Sequence, residues 1–212
     1  IHTGRSRNDQ IATAMRLFMR HHVCVRTSDL HAFVQSCIRR ARGDGAVPMP
    51  GYTHLQPAMP SSLGMWLCAF AEAGLEQLRA GLHLLDQLDA CPLGTGAGFG
   101  VPLPLDRNYS AQLLGFSRLQ RNPIDVQNSR GRYEAYFAHD AADIGDILEK
   151  LSWDMILYST HEFGFMALPA EMTTGSSIMP QKRNPDALEL MRARAARMRS
   201  WSREIDDIRG KL

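Results

Sequence analysis

Residues 61–88 read SSLGMWLCAFAEAGLEQLRAGLHLLDQL, and their spacing decides the fold class. Leu63, Trp66, Leu67, Phe70, Ala71, Leu75, Leu78, Leu82, Leu85 and Leu88 recur at three- and four-residue steps. That period places them on one face of a helix. The stripe is long and heptad-like, so it predicts helix packed on helix. Pro60 and the two serines mark its start, and Cys91-Pro92-Leu93-Gly94 stops it.

The same period extends outward in both directions. A stretch with few breakers runs up to about Arg42, with Leu30, Phe33, Val34, Cys37, Ile38 and Ala41 as its later stripe. Ser6, Asn8 or Asp9 is a candidate cap for its start, and Gly43, Gly45, Pro48 and Pro50 end it. A short helix is expected around 109–114. A third long helix is expected from about 133 to 159, with Phe137, Ala141, Ile144, Leu148, Leu151 and Met155 in step. A fourth runs from Asp186 to about Ile208, with Asp186 and Glu189 placed to suit the positive end of its dipole. No strand set and no internal repeat is evident. The expected fold is all-α: one long-helix bundle over residues 1–212, with functional loops at its ends.

Composition narrows the function. The 24 basic and 22 acidic residues nearly cancel, which gives no electrostatic pointer to nucleic acid. No apolar run approaches the roughly 20 residues of a membrane helix. Cys24, Cys37, Cys68 and Cys91 form no CxxC pair and no metal or disulfide framework, so they read as reduced thiols in a cytoplasmic protein. His161-Glu162 begins like a zinc-protease motif but lacks the second histidine. The chain begins without Met and ends within a charged stretch, so it reads as a piece of a longer protein.

Three polar segments interrupt the helices. His2-Thr3-Gly4-Arg5-Ser6-Arg7-Asn8-Asp9-Gln10 offers guanidinium groups, hydroxyls and an amide beside a helix start. It suits a carboxylate ligand, or equally a solvated capping turn. Gly51-Tyr52-Thr53-His54-Leu55-Gln56 carries a histidine among hydrogen-bonding neighbours, either a proton-exchange group or a structural turn. In residues 174–185, TGSSIMPQKRNP, hydroxyls, Lys182 and Asn184 crowd together after a glycine. That mix suits a mobile loop closing over an anion, against the simpler reading of a polar surface loop. A fourth segment, Gly94-Thr95-Gly96-Ala97-Gly98-Phe99-Gly100, fails the dinucleotide pattern because Phe99 stands at its third glycine. It reads as a flexible turn.

Taken together, these segments resemble the fumarase/aspartase superfamily. Residues 175–185 match its signature GSSxMPxKxNP, while HTGRSRNDQ and GYTHLQ resemble the argininosuccinate lyase branch. Cys91-Pro92-Leu93-Gly94, Leu105-Asp106-Arg107, Leu114-Gly115-Phe116 and Glu162-Phe163-Gly164 are further matches. The resemblance implies a homotetramer whose active sites are assembled from three subunits. It implies a reversible anti elimination of argininosuccinate to arginine and fumarate, with no metal or organic cofactor. By the same resemblance, Ser176 and His54 exchange protons with substrate as base and acid, in an order the sequence leaves open. Lys182 stabilises the serine alkoxide, and Glu189 pairs with the catalytic histidine. Asn8, Thr53, Asn184, Ser6 and Arg7 hold substrate, and Arg130 corresponds to the arginine of a Ser-Asp-Arg-Asp-like run. Gly131 and Pro57 depart from the family pattern. A preceding domain and a following Tyr…Gln…Lys segment are expected to supply further substrate contacts. The rival readings are another fumarate-releasing lyase (adenylosuccinate lyase, aspartase or fumarase), a delta-crystallin-like structural protein, and a helical assembly module.

Overall fold

A computed structural model describes residues 2–209. Four long helices carry most of it: α1 (Arg7–Asp44), α2 (Leu63–Leu88), α5 (Arg132–Tyr158) and α6 (Asp186–Arg209). Between α2 and α5 lie two short helices, α3 (Arg107–Leu113) and α4 (Pro123–Asn128). The helical expectation therefore holds for every long stripe. At about 1.5 Å per residue, the 38 residues of α1 extend about 57 Å.

α1 starts at a capping box. Ser6 Oγ accepts from Asn8 N–H at 3.2 Å, and the Asp9 carboxylate reaches back to accept from Ser6 N–H at 3.1 Å. α3 is capped by Asp106, which accepts from Tyr109 N–H. α4 was not expected from its composition, although its start is marked: Asn122 accepts from the N–H groups of Ile124 and Asp125, and Pro123 fills the first turn.

The expectation of no strands needs correction. β1 (Pro48–Thr53) and β2 (Gln56–Ser62) form an antiparallel hairpin, with an irregularity between Pro50 and Tyr52. Four prolines lie in it, at 48, 50, 57 and 60, and proline cannot donate to a ladder. A two-stranded ribbon tolerates them because each strand has one unpaired side. Two further ladders are two residues long: β3 (Ala90–Cys91) with β4 (Arg118–Leu119), and β5 (Thr174–Gly175) with β6 (Arg183–Asn184).

The chain divides into two compact units. One draws on the chain up to Asp29, on Arg79–Asp140 and on the chain from Arg203. Its core joins Met19 and Val23 of α1 to Leu84 and Leu88 of α2, and a second cluster gathers Cys91, Ala111 and Phe116. It also buries charge. Arg16 donates to Ala90 O and Gln120 Oε1 and lies 3.4 Å above the Tyr133 ring, while Arg26 pairs with Asp140. Burial pushes both guanidinium pKa values down, a cost that these partners offset.

The other unit comprises Leu30–Leu78 and Ala141–Ser202. Val34 and Cys37 of α1 pack on Phe70 and Ala71 of α2, with Ile147 and Leu151 of α5 alongside. The two helices approach closely at Gly74, where an added Cβ would stand 2.5 Å from Val34 Cγ2. Val34 is buried and β-branched, so it cannot swing aside. Gly74→Ala is therefore expected to lower stability. The overpacking cost of about 1–3 kcal/mol exceeds the helix-propensity gain of up to about 1 kcal/mol. A urea midpoint at or above the parent's would contradict this.

Candidate functional site

The signature segment folds as a loop closed at its base by β5 and β6, which pair Thr174 with Asn184 and Gly175 with Arg183. This pairing brings Asn184 to the mouth of the loop that begins at Ser176. Within the loop, Ser176 Oγ accepts from the N–H of Ile178 at 3.3 Å and of Met179 at 3.2 Å. Two N–H donors on one hydroxyl oxygen hold it in place and favour negative charge there. Lys182 N–H donates to Met179 O and closes the turn, and its side chain is exposed. Ile178, 85% exposed, leaves the loop tip apolar and uncovered.

Glu189 lies in the first turn of α6. It lines a cavity of about 590 Å³ with His161, Glu162, Thr173 and Arg183. Carboxylates, an imidazole and a guanidinium thus converge there, and Glu189 follows Lys182 by seven residues and Ser176 by thirteen.

His54 occupies the turn of the β1–β2 hairpin. Thr53 pairs with Gln56, so His54 and Leu55 alone make the turn, with φ of 52° and 59°. Such turns favour Asn and Gly, because other side chains crowd the backbone at positive φ. A non-glycine residue held there costs on the order of 1–3 kcal/mol, and such strain gathers at functional sites. Thr53 and His54 are exposed. The hairpin is steadied by Tyr52, whose ring meets Phe163 at 5.4 Å and Phe165 at 6.1 Å. The aromatic chain continues through Tyr158 to Trp66, which donates from Nε1 to Asp154 at 3.1 Å. Burial, with the nearby Asp154 and Tyr52, pushes the Tyr158 phenol up. Residues 163 and 165 precede the Ser176 loop in sequence, so one ring cluster contacts both the hairpin and the approach to that loop.

Ser6, Arg7 and Asn8 form the N-terminal turn of α1, with Arg7 exposed. Arg130 follows α4 in a turn closed by its own N–H on Gln127 O, and it lines a cavity of about 700 Å³ with Asn128, Glu134 and Arg209. Ser6, Arg7, Asn8 and Arg130 thus belong to one unit. Thr53, His54, Ser176, Lys182, Asn184 and Glu189 belong to the other. Among the described residues, no hydrogen bond or ion pair joins Ser176, His54, Lys182 and Glu189 to one another. No group of three or more His, Cys, Asp or Glu among them is placed to hold a metal ion.

Sequence reasoning passed over Asp9 except as a cap. Its carboxylate is fully buried, and Oδ2 accepts from Gly94 N–H at 3.0 Å and Gly96 N–H at 2.9 Å. The glycine-rich segment is therefore not a free turn. Gly94 and Gly96 adopt φ of 84° and 66°, a backbone that turns their two N–H groups toward one anion. The signal was available in the close spacing of the two glycines. Nothing local indicated that the anion is the chain's own carboxylate, 85 residues away.

Comparison with known proteins places the chain. A family model described as "Lyase" matches residues 1–199. The chain belongs to this lyase family. The chain is 45% identical over 208 residues to an argininosuccinate lyase of Xylella fastidiosa (strain Temecula1 / ATCC 700964), covering 98% of the chain and 47% of that relative. It is 47% identical over 211 residues to that of Stenotrophomonas maltophilia (strain R551-3), covering 98% and 48%. The chain thus spans about half the length of the curated relatives it matches. Its fold superposes on EDDS lyase in complex with formate at a TM-score of 0.90 and 32% identity, over 93% of the chain and 39% of that structure. A fumarate lyase:delta crystallin from Brucella melitensis gives 0.83 at 24% identity, over 99% and 47%, and supports the fold. No helix among the described residues is long and apolar enough to cross a membrane.

Proposed function

We propose that the full-length protein containing this chain is a cytoplasmic, homotetrameric argininosuccinate lyase, which splits argininosuccinate into arginine and fumarate by a reversible anti elimination. The observation that carries the reading is the Ser176 loop. It has the residues of the superfamily signature, and it gives the serine oxygen two backbone N–H donors. The near-complete coverage of the chain by relatives named for that reaction supports the substrate.

The chemical task is to take a weakly acidic proton from a carbon beside a carboxylate, so that charge builds on that carboxylate. A serine is a poor base in water. N–H donors on Oγ lower the cost of its alkoxide, which favours Ser176 as the base and His54 as the acid that protonates the departing nitrogen. Lys182 adds positive charge when the loop closes, Asn184 binds a substrate carboxylate, and Glu189 pairs with the histidine that serves its site. Asn8, Ser6, Arg7, Thr53 and Arg130 complete the substrate contacts. Following the family resemblance, each site is built from several copies, with Ser176 of one copy facing His54 of another. By the resemblance, a preceding domain supplies further substrate contacts and a following segment holds the arginine end of the substrate. These side chains carry both proton transfers, and no metal or organic cofactor takes part.

The test is fumarate release by the full-length protein, followed in the ultraviolet, with argininosuccinate, adenylosuccinate, aspartate, malate and EDDS as alternatives. Argininosuccinate is expected to give the highest kcat/KM. A higher value for any other substrate would replace the assignment. No turnover with any of them would favour a structural role.

A further inference from the structure

We propose that Asp9 is a positioning residue, which holds the Ser6-Arg7-Asn8 substrate-binding turn in working geometry by fastening it to the Gly94–Gly96 loop. The inference rests on the reading above, in which that turn holds substrate.

Asp9 follows Asn8 directly, and its two carboxylate oxygens face different parts of the chain. Oδ1 takes the Ser6 N–H, while Oδ2 takes the Gly94 and Gly96 N–H groups. One side chain therefore fixes both the start of the binding turn and a loop distant in sequence. The loop is itself held rigid. Thr95, fully buried, donates from Oγ1 to Pro92 O, and Gly100 N–H donates to Thr95 O. Arg107 braces the other side, donating to Leu93 O and Gln120 O, with its Cγ 2.9 Å from where a Cβ on Gly94 would stand. The Asp9 backbone carbonyl accepts from Thr13 Oγ1 and ties the residue to the second turn of α1.

A helix cap alone does not require this arrangement. Capping is satisfied by Ser6 Oγ and Asp9 Oδ1, and an N3 carboxylate normally stays in solvent. Here the carboxylate is buried, and a second oxygen is spent on a remote loop. The effect is to remove freedom from the residues immediately before it. A displacement of about 1 Å in a substrate-holding group is enough to change catalysis by up to about a hundredfold. Asp9 touches no substrate in this account; it acts through Asn8 and Ser6.

The test is steady-state kinetics of the full-length Asp9→Ala and Asn8→Ala variants. If Asp9 positions the turn, Asp9→Ala raises KM by about tenfold or more, while kcat stays within about threefold. Acetate, able to enter the emptied nest of N–H groups, then brings KM back toward the parent value. If Asp9 merely supports folding, the active fraction falls: kcat per mole of protein drops, KM is unchanged, and the inference is overturned. Should Asp9→Ala fail to fold, Asp9→Asn retains the shape and one acceptor oxygen and gives the same readout. Asn8→Ala separates the two layers. A raised KM for Asn8→Ala with none for Asp9→Ala overturns the positioning role alone. No change in either overturns substrate binding by this turn as well.

Discussion

Ser176→Ala in the full-length protein is expected to lower kcat by at least about a hundredfold, the usual worth of a positioned proton-transfer group. KM should change little. The hydroxyl is held by Ile178 and Met179 N–H rather than by any group expected to bind substrate in the ground state. Ser176→Cys is informative beside it. A thiol is more acidic than an alcohol and accepts the same N–H groups more weakly, so it restores a fraction of the rate with a pH profile shifted downward. Near-parental turnover by Ser176→Ala would remove Ser176 from the proton transfer and leave the two N–H donors without a catalytic role. Folding should survive the change, since the residue is only half-buried in a loop closed independently by β5 and β6.

His54→Asn is expected to lower kcat by about a hundredfold to ten-thousandfold while leaving stability unchanged or higher. The two effects have opposite origins. Asparagine cannot exchange a proton, yet it accepts the left-handed backbone that the turn imposes at φ 52° more readily than histidine does. Activity and stability therefore move apart. A structural histidine would behave otherwise, with any loss of activity accompanied by a lower melting temperature. The substitution thus distinguishes a strained catalytic turn from a merely structural one.

The long helices were legible because a buried face leaves a periodic trace: Leu63 through Leu88 and Tyr133 through Tyr158 repeat at helical spacing and fold that way. The hairpin was not legible. None of its residues is fully buried, so it left no core stripe to read, and its prolines argued against a ladder. Its turn is equally opaque, because His54-Leu55 lacks the Asn or Gly that usually betrays a left-handed pair.

The candidate site divides in the same way. Ser176, Lys182 and Asn184 lie within nine residues, and their shared loop was visible as a dense polar run. The close spacing of Gly94 and Gly96 was visible, but their partnership with Asp9 depends on tertiary contact that no local pattern indicates. The contact between Tyr52 and Phe163 is of the same kind, since neither aromatic residue is unusual in its own segment.

Ser176 of one copy is expected to serve the same substrate as His54 of another. The most direct test mixes full-length Ser176→Ala and His54→Asn proteins, each inactive alone, under conditions that dissociate and reassemble the subunits. Assemblies containing both should regain measurable fumarate release, because some interfaces then join an intact Ser176 to an intact His54. A mixture that reassembles but stays as inactive as its parents would mean that both groups must come from a single chain, contradicting the shared site.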